Sequence, residues 1–174
     1  MTSTRRRAAR RIPWIHGRFR GQWPGPVRIL EDAAGWLASR DASAFPKRSD
    51  AGAFSAGAAL AHCAQSITFS LTGFPSLRSG LFRATIGRVA LAKFLKQGFL
   101  RHDLRAPIPG APDLPELTWT EGKELLLDAI RRYRMHEGPF APHFAYGVVT
   151  KSEGDRVHAM HVADHLTPRP PRNG

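Results

Sequence analysis

The stretch from Ser55 to Thr72 limits what this chain can fold into more than any other. Its residues, Ala56-Gly-Ala-Ala-Leu-Ala-His-Cys-Ala-Gln-Ser-Ile-Thr-Phe-Ser-Leu71, are small or apolar nearly all the way round a helical wheel. Leu60, Ala64, Ile67 and Leu71 recur at the three- and four-residue steps of an α-helix. Ser55 stands where an N-cap hydroxyl belongs, and Gly73 stands just past the other end. A helix with so little polar surface is buried on more than one side, so other helices must surround it. His62 lies off the main stripe, on the side of Ser66 and Phe69, and can still face the interior of such a bundle.

The surrounding helices are legible. Val27 to Ser39 places Ile29, Leu30, Ala33, Ala34 and Leu37 at helical spacing. Leu81 to Phe99 sets Leu81, Ile86, Val89, Ala90 and Phe94 against a polar side of Arg83, Arg88, Lys93 and Lys96. Thr120 to His136 offers Leu125, Leu126, Ala129, Ile130 and Tyr133 as its buried face, and Thr118 with Glu121 just ahead of it has capping-box spacing. Lys151 to Leu166 carries Glu153 and Asp155 in its first turn, where a carboxylate meets the positive end of the helix dipole. Ala44 to Gly52 reads as loop. The prolines from Pro107 to Pro115 exclude regular structure between the third and fourth helices. Gly138 to Gly147 is a second loop, proline-rich and aromatic. No strand-like alternation and no internal repeat is evident. The expected fold class is all-α, a helical bundle.

Charge is unevenly placed. The chain has 174 residues and a formal net charge of +12. Arg5, Arg6, Arg7, Arg10, Arg11, Arg18, Arg20 and Arg28 all precede the first acidic residue, Glu31. The expected organisation is a disordered arginine-rich extension over 1–26, one helical domain over 27–167, and a disordered tail over 168–174. The head reads as a solvated extension, as a start site placed too early, or as an arm for nucleic acid or an anionic membrane. Trp14, Phe19 and Trp23 are its only interleaved aromatics, so nucleic acid is the least favoured partner. Twin-arginine export is rejected, because charge and proline interrupt what would be the apolar stretch. No apolar run approaches the roughly 20 residues that span a bilayer. The one cysteine, Cys63, excludes an internal disulfide and fits a reducing compartment, so the expected location is cytoplasmic. Cys63 itself reads as a packing residue.

The chemistry-bearing pattern is a set of histidines. His161 and His165 stand four apart on the last helix, which brings their side chains onto one face. His62 on the apolar helix could meet them. Three imidazoles make a metal site with room for a water or substrate. The same residues could equally be ordinary half-exposed histidines. Val162 stands where the zinc-protease HExxH pattern has glutamate, so that mechanism's general base is missing. His158, within about 60° of His161 and His165 on the wheel, is open as a ligand's partner, a fourth ligand, a proton shuttle or a surface histidine. Asp164 points about 100° away from His165 and reads as a partner of a ligand or a surface group.

Taken in order, His62-Cys-Ala-Gln-Ser-Ile67, Leu71-Thr-Gly-Phe-Pro75, His102-Asp-Leu104, Pro107-Ile-Pro-Gly-Ala-Pro112, Phe144-Ala-Tyr-Gly147 and His161-x-x-x-His165-Leu166 resemble an uncharacterised bacterial branch of the DinB-like superfamily, which includes the YfiT-like proteins. The resemblance runs from about Val27 to Leu166. It implies a four-helix bundle of up-down-down-up type, into which this sequence inserts an extra helix, about Leu81 to Phe99, and a long proline-rich loop. It also implies a divalent metal on His62, His161 and His165; imidazole suits zinc, nickel, iron and copper alike, with zinc the default and nickel the alternative. The activity it implies is a metal-dependent transferase that activates a low-molecular-weight thiol against an electrophile, in a homodimer; other members have no known activity. No catalytic residue follows from the pattern, and His158 and Tyr146 are the candidates. Phe69, Phe140, Phe144 and Tyr146 are candidate pocket walls, and Arg83, Arg88 and Lys93 a candidate anion-binding side. The sequence departs from the family at Phe54, where tryptophan is expected, and at the Thr167-Pro-Arg-Pro-Pro171 close of the last helix. The competing reading is a non-catalytic helical bundle that a metal merely stabilises.

Overall fold

A computed structural model describes residues 28–45 and 54–166. The arginine-rich head over 1–26, most of the loop expected over Ala44 to Gly52, and the tail over 168–174 lie outside the described residues, as do the expectations attached to them. The elements are α1 (Leu30–Ala38), a 3-10 turn (Ala42–Ala44), α2 (Ala56–Thr72), α3 (Gly80–Ala84), α4 (Ile86–Gln97), α5 (Trp119–Met135) and α6 (Lys151–Leu166). Among the described residues there is no strand, only an isolated bridge between His143 and Gly147. The chain is all-α over these residues, and none of its described helices is long and apolar enough to cross a membrane.

Four helices share one core. Leu30, Trp36 and Leu37 of α1 meet Leu60, Cys63 and Ile67 of α2, Leu126, Ile130 and Tyr133 of α5, and Ala159, Val162 and Leu166 of α6. α2 is buried around most of its circumference, as its composition requires. Its crossing with α5 is made by glycines. A Cβ on Gly57 would overlap the carbonyls of Leu117 and Thr118, and one on Gly122 would overlap the carbonyl of Gly57. Only a residue without a side chain lets the two backbones touch there.

The helix ends follow from local chemistry. Ser55 Oγ accepts from the Ala58 N–H at 3.3 Å, and Gly73 leaves the helix at φ 104°. At α5, Thr118 Oγ1 accepts from Glu121 N at 3.3 Å, while Glu121 Oε2 accepts from Thr118 N at 2.8 Å. This reciprocal box starts the helix at Trp119 rather than Thr120. Thr150 and Glu153 make the same pair ahead of α6. Asp155 acts between helices instead. It accepts from the Leu30 N–H at 3.0 Å and ties α1 to α6.

The structure corrects three sequence expectations. The helix expected over Leu81 to Phe99 is two helices, broken at Thr85 (φ −115°, ψ −91°). There the Thr85 hydroxyl donates to the Leu81 carbonyl at 2.7 Å, and its N–H is shared between Leu81 and Phe82. Threonine back-bonding of this kind bends helices. Its apolar side is also buried only in part, at the half-buried Ala90 and Phe94. Leu81, Ile86 and Val89 are 77%, 61% and 71% exposed, and α4 instead buries Gly87 and Leu91. Leu91 joins Leu100, Val157 and Met160 in a second, smaller core on the outside of α6. Finally, Leu125, expected on the buried face of α5, is 49% exposed.

Candidate metal centre

α2 and α6 pack antiparallel. His62 on α2 faces His161 and His165 on α6, and further along the same seam Ser70 faces His158. The His62 ring lies 5.1 Å from that of His161 and 5.0 Å from that of His165, centroid to centroid. His161 and His165 are 4.9 Å apart, as the i, i+4 spacing requires. The three sequence candidates therefore meet.

A fourth histidine joins them. His102 sits on the non-helical segment between α4 and α5, held there by the buried Leu100 and Leu104 on either side. Its ring is 4.8 Å from His161 and 5.0 Å from His165. One nitrogen from each of His62, His102, His161 and His165 lies within 4.8 Å of every other. Sequence reasoning did not count His102 among the ligands, because no helical period places a residue beside a run of prolines. Asp164 held the missing signal: it is the carboxylate that grips His102.

Asp164 Oδ2 accepts from the His102 backbone N–H at 3.2 Å and from its Nδ1 at 2.8 Å. A carboxylate only accepts, so His102 donates through Nδ1 and turns its Nε2 toward the cluster. That Nε2 is 3.2 Å from His165 Nε2. Asp164 itself is buried.

Two of the four rings, His62 and His161, sit where burial disfavours a charge. Burial holds the His62 pKa down at about 4, with His102 adding repulsion. Burial likewise holds His161 well below the ordinary value, and the rings of His165, His62, His102 and His158 push the same way. Neutral imidazole is the ligand form. His62 Nδ1 is buried with no hydrogen-bond partner among the described residues, an expensive state for a polar atom. Phe54 stacks on the His62 ring at 5.0 Å and reaches His165 at 6.3 Å, covering this side with an apolar face. Four imidazole nitrogens at this spacing suit a divalent transition metal.

The remaining candidates lie elsewhere. His158 is buried, with Nε2 2.7 Å from Ser70 Oγ and its ring against Tyr133. Tyr146 stacks on His143 at 4.3 Å. Phe69 and Phe144 pack on Phe74, and Phe140 on Tyr133 and His136. Arg88 binds the Val148 carbonyl and Glu153, and Arg83 binds the Arg78 carbonyl, so neither is a spare cation aimed at the histidines. Cys63 adjoins His62 in sequence but is buried in the main core, where burial pushes its thiol pKa up.

The fold and site thus define, over the described residues, an all-α protein with a largely buried four-histidine cluster that joins two antiparallel helices and the segment after α4. The family model described as "Protein of unknown function (DUF1569)" matches residues 31–171, and the chain belongs to that family. No curated protein and no solved structure matches it.

Proposed function

We propose that this chain is a cytoplasmic divalent-metal protein of DinB-like architecture. In this reading α1, α2, α5 and α6 form the four-helix bundle and the α3–α4 pair is the insertion. His62, His161 and His165 are the helix-borne ligands, and zinc or nickel is the ion. The observation that carries it is the convergence of four histidines, from three separate parts of the chain, around a single point. The unsatisfied Nδ1 of His62 and the depressed pKa values support it. His62 and His161 are thereby held in ligand form at neutral pH, so little proton release from them opposes loading.

The activity we propose is transfer chemistry on a low-molecular-weight thiol. A bound divalent ion would supply a lowered pKa to whatever thiol or water reaches it. The protein's part is to hold the imidazoles neutral and oriented and, through Phe54, to keep bulk water off one side. A second reading has a specific observation behind it. Four protein ligands complete a tetrahedral shell, the pattern of structural zinc sites. In that case the metal stabilises the bundle and no turnover occurs.

Elemental analysis of the purified protein beside a His161→Ala variant tests the common ground. We expect about one equivalent of metal in the wild type and a large loss in the variant. Equal metal in both would remove the ligand assignment. A panel of thiols and electrophiles with the loaded protein then separates transferase from structural site.

A further inference from the structure

His62, His161 and His165 project from helices locked into the main core, whereas His102 comes from the irregular segment between α4 and α5. His102 also keeps 29% side-chain exposure, while His62 and His165 are buried and His161, half-buried, is held within α6. It is therefore the ligand at the solvent edge. Zinc–nitrogen bonds of about 2.0–2.1 Å set tetrahedral ligand atoms about 3.3–3.4 Å apart, and the His102 to His165 nitrogen separation of 3.2 Å already has that length. Asp164 fixes both the backbone and the ring of His102, so its Nε2 is aimed inward without help from an ion.

Resting on the metal-centre reading above, we infer that His102 is an exchangeable cap. It fills the position that an outside ligand would take, Asp164 sets how firmly it does so, and the centre opens when an incoming donor displaces it. The inner three ligands cannot leave without disturbing α2 or α6. His102 can swing outward once its two hydrogen bonds to Asp164 let go, because its backbone belongs to no helix and its ring already meets solvent. The site is thus closed by its own chain at rest and open only to a donor that outcompetes a tethered imidazole.

Cobalt(II) reports this directly, since its visible spectrum responds to ligand number and type. The measurement loads wild type, His102→Ala and Asp164→Asn with cobalt and titrates each with azide. We expect the wild type to take up one cobalt and respond to azide only at high concentration. His102→Ala should still bind cobalt, with altered bands, and bind azide at roughly tenfold lower concentration or less, because the tethered competitor is gone. Free imidazole should restore the wild-type spectrum. Asp164→Asn, which leaves the histidine in place, should weaken cobalt binding by about 10–100-fold and ease azide entry. Identical spectra and azide curves for wild type and His102→Ala would overturn the cap. So would a folded His102→Ala that binds no cobalt, since His102 would then be indispensable rather than exchangeable. A wild type that binds no cobalt would instead defeat the metal-centre reading itself.

Discussion

Individual histidines in this molecule differ by what their second nitrogen does. His143 Nδ1 accepts from the N–H groups of Ala145 and Tyr146 at 3.1 and 3.3 Å, so protonation there would set donor against donor. Burial holds its pKa down at about 3, and burial holds His158 at about 4. Both take up a proton more readily in the unfolded chain, near the ordinary value of 6.5. Their contribution to stability is therefore complete above about pH 6.5 and is lost as pH falls toward 4 and then 3. Each can add up to about 1.4 kcal/mol per pH unit in that window. Urea unfolding of chelator-treated protein at pH 7 and pH 5 should show a steep fall for the wild type and a shallower one for His143→Gln. Parallel falls would show that His143 titrates normally in the fold.

At the scale of elements, the α2–α5 crossing is the tightest joint. Gly122→Ala gains about 1 kcal/mol of helix propensity but drives a methyl into the Gly57 carbonyl. Backbone cannot rotate aside, so the overlap wins, and a net loss of about 1–3 kcal/mol is expected from the urea midpoint. Thr118→Ala should cost about 1 kcal/mol by removing the cap of α5; no change would mean that tertiary packing alone sets that end. These helices were readable because apolar period, cap residues and terminal glycines all agreed. Reading failed where one signal stood alone. The apolar residues of α3 and α4 suggested a buried side, yet Leu81, Ile86 and Val89 face outward, because the helix pair packs through Gly87 and Leu91 instead. His102 was hidden for a related reason. A segment without periodicity has no predictable path, and the offset that set Asp164 apart from the ligand face is what lets it reach across to His102.

For the whole molecule, the four-histidine cluster bridges parts that the chain order keeps distant. α2, the segment after α4, and α6 all contribute to it. Loading should therefore be felt globally. At free metal a hundredfold above Kd, binding adds about 2.7 kcal/mol, which for a chain of this size raises Tm by on the order of 5–10 °C. Calorimetry with and without chelator checks this. An unchanged Tm in protein shown to hold metal would mean that the ion sits somewhere other than this junction.

Cys63 gives that junction a natural clock. It is the sole thiol of the sequence, and it lies 1% exposed in the core beside His62. A maleimide can reach it only when the helices part, so the labelling rate counts openings of the native state. Slower labelling after cation uptake would measure how firmly the ion rivets the bundle shut.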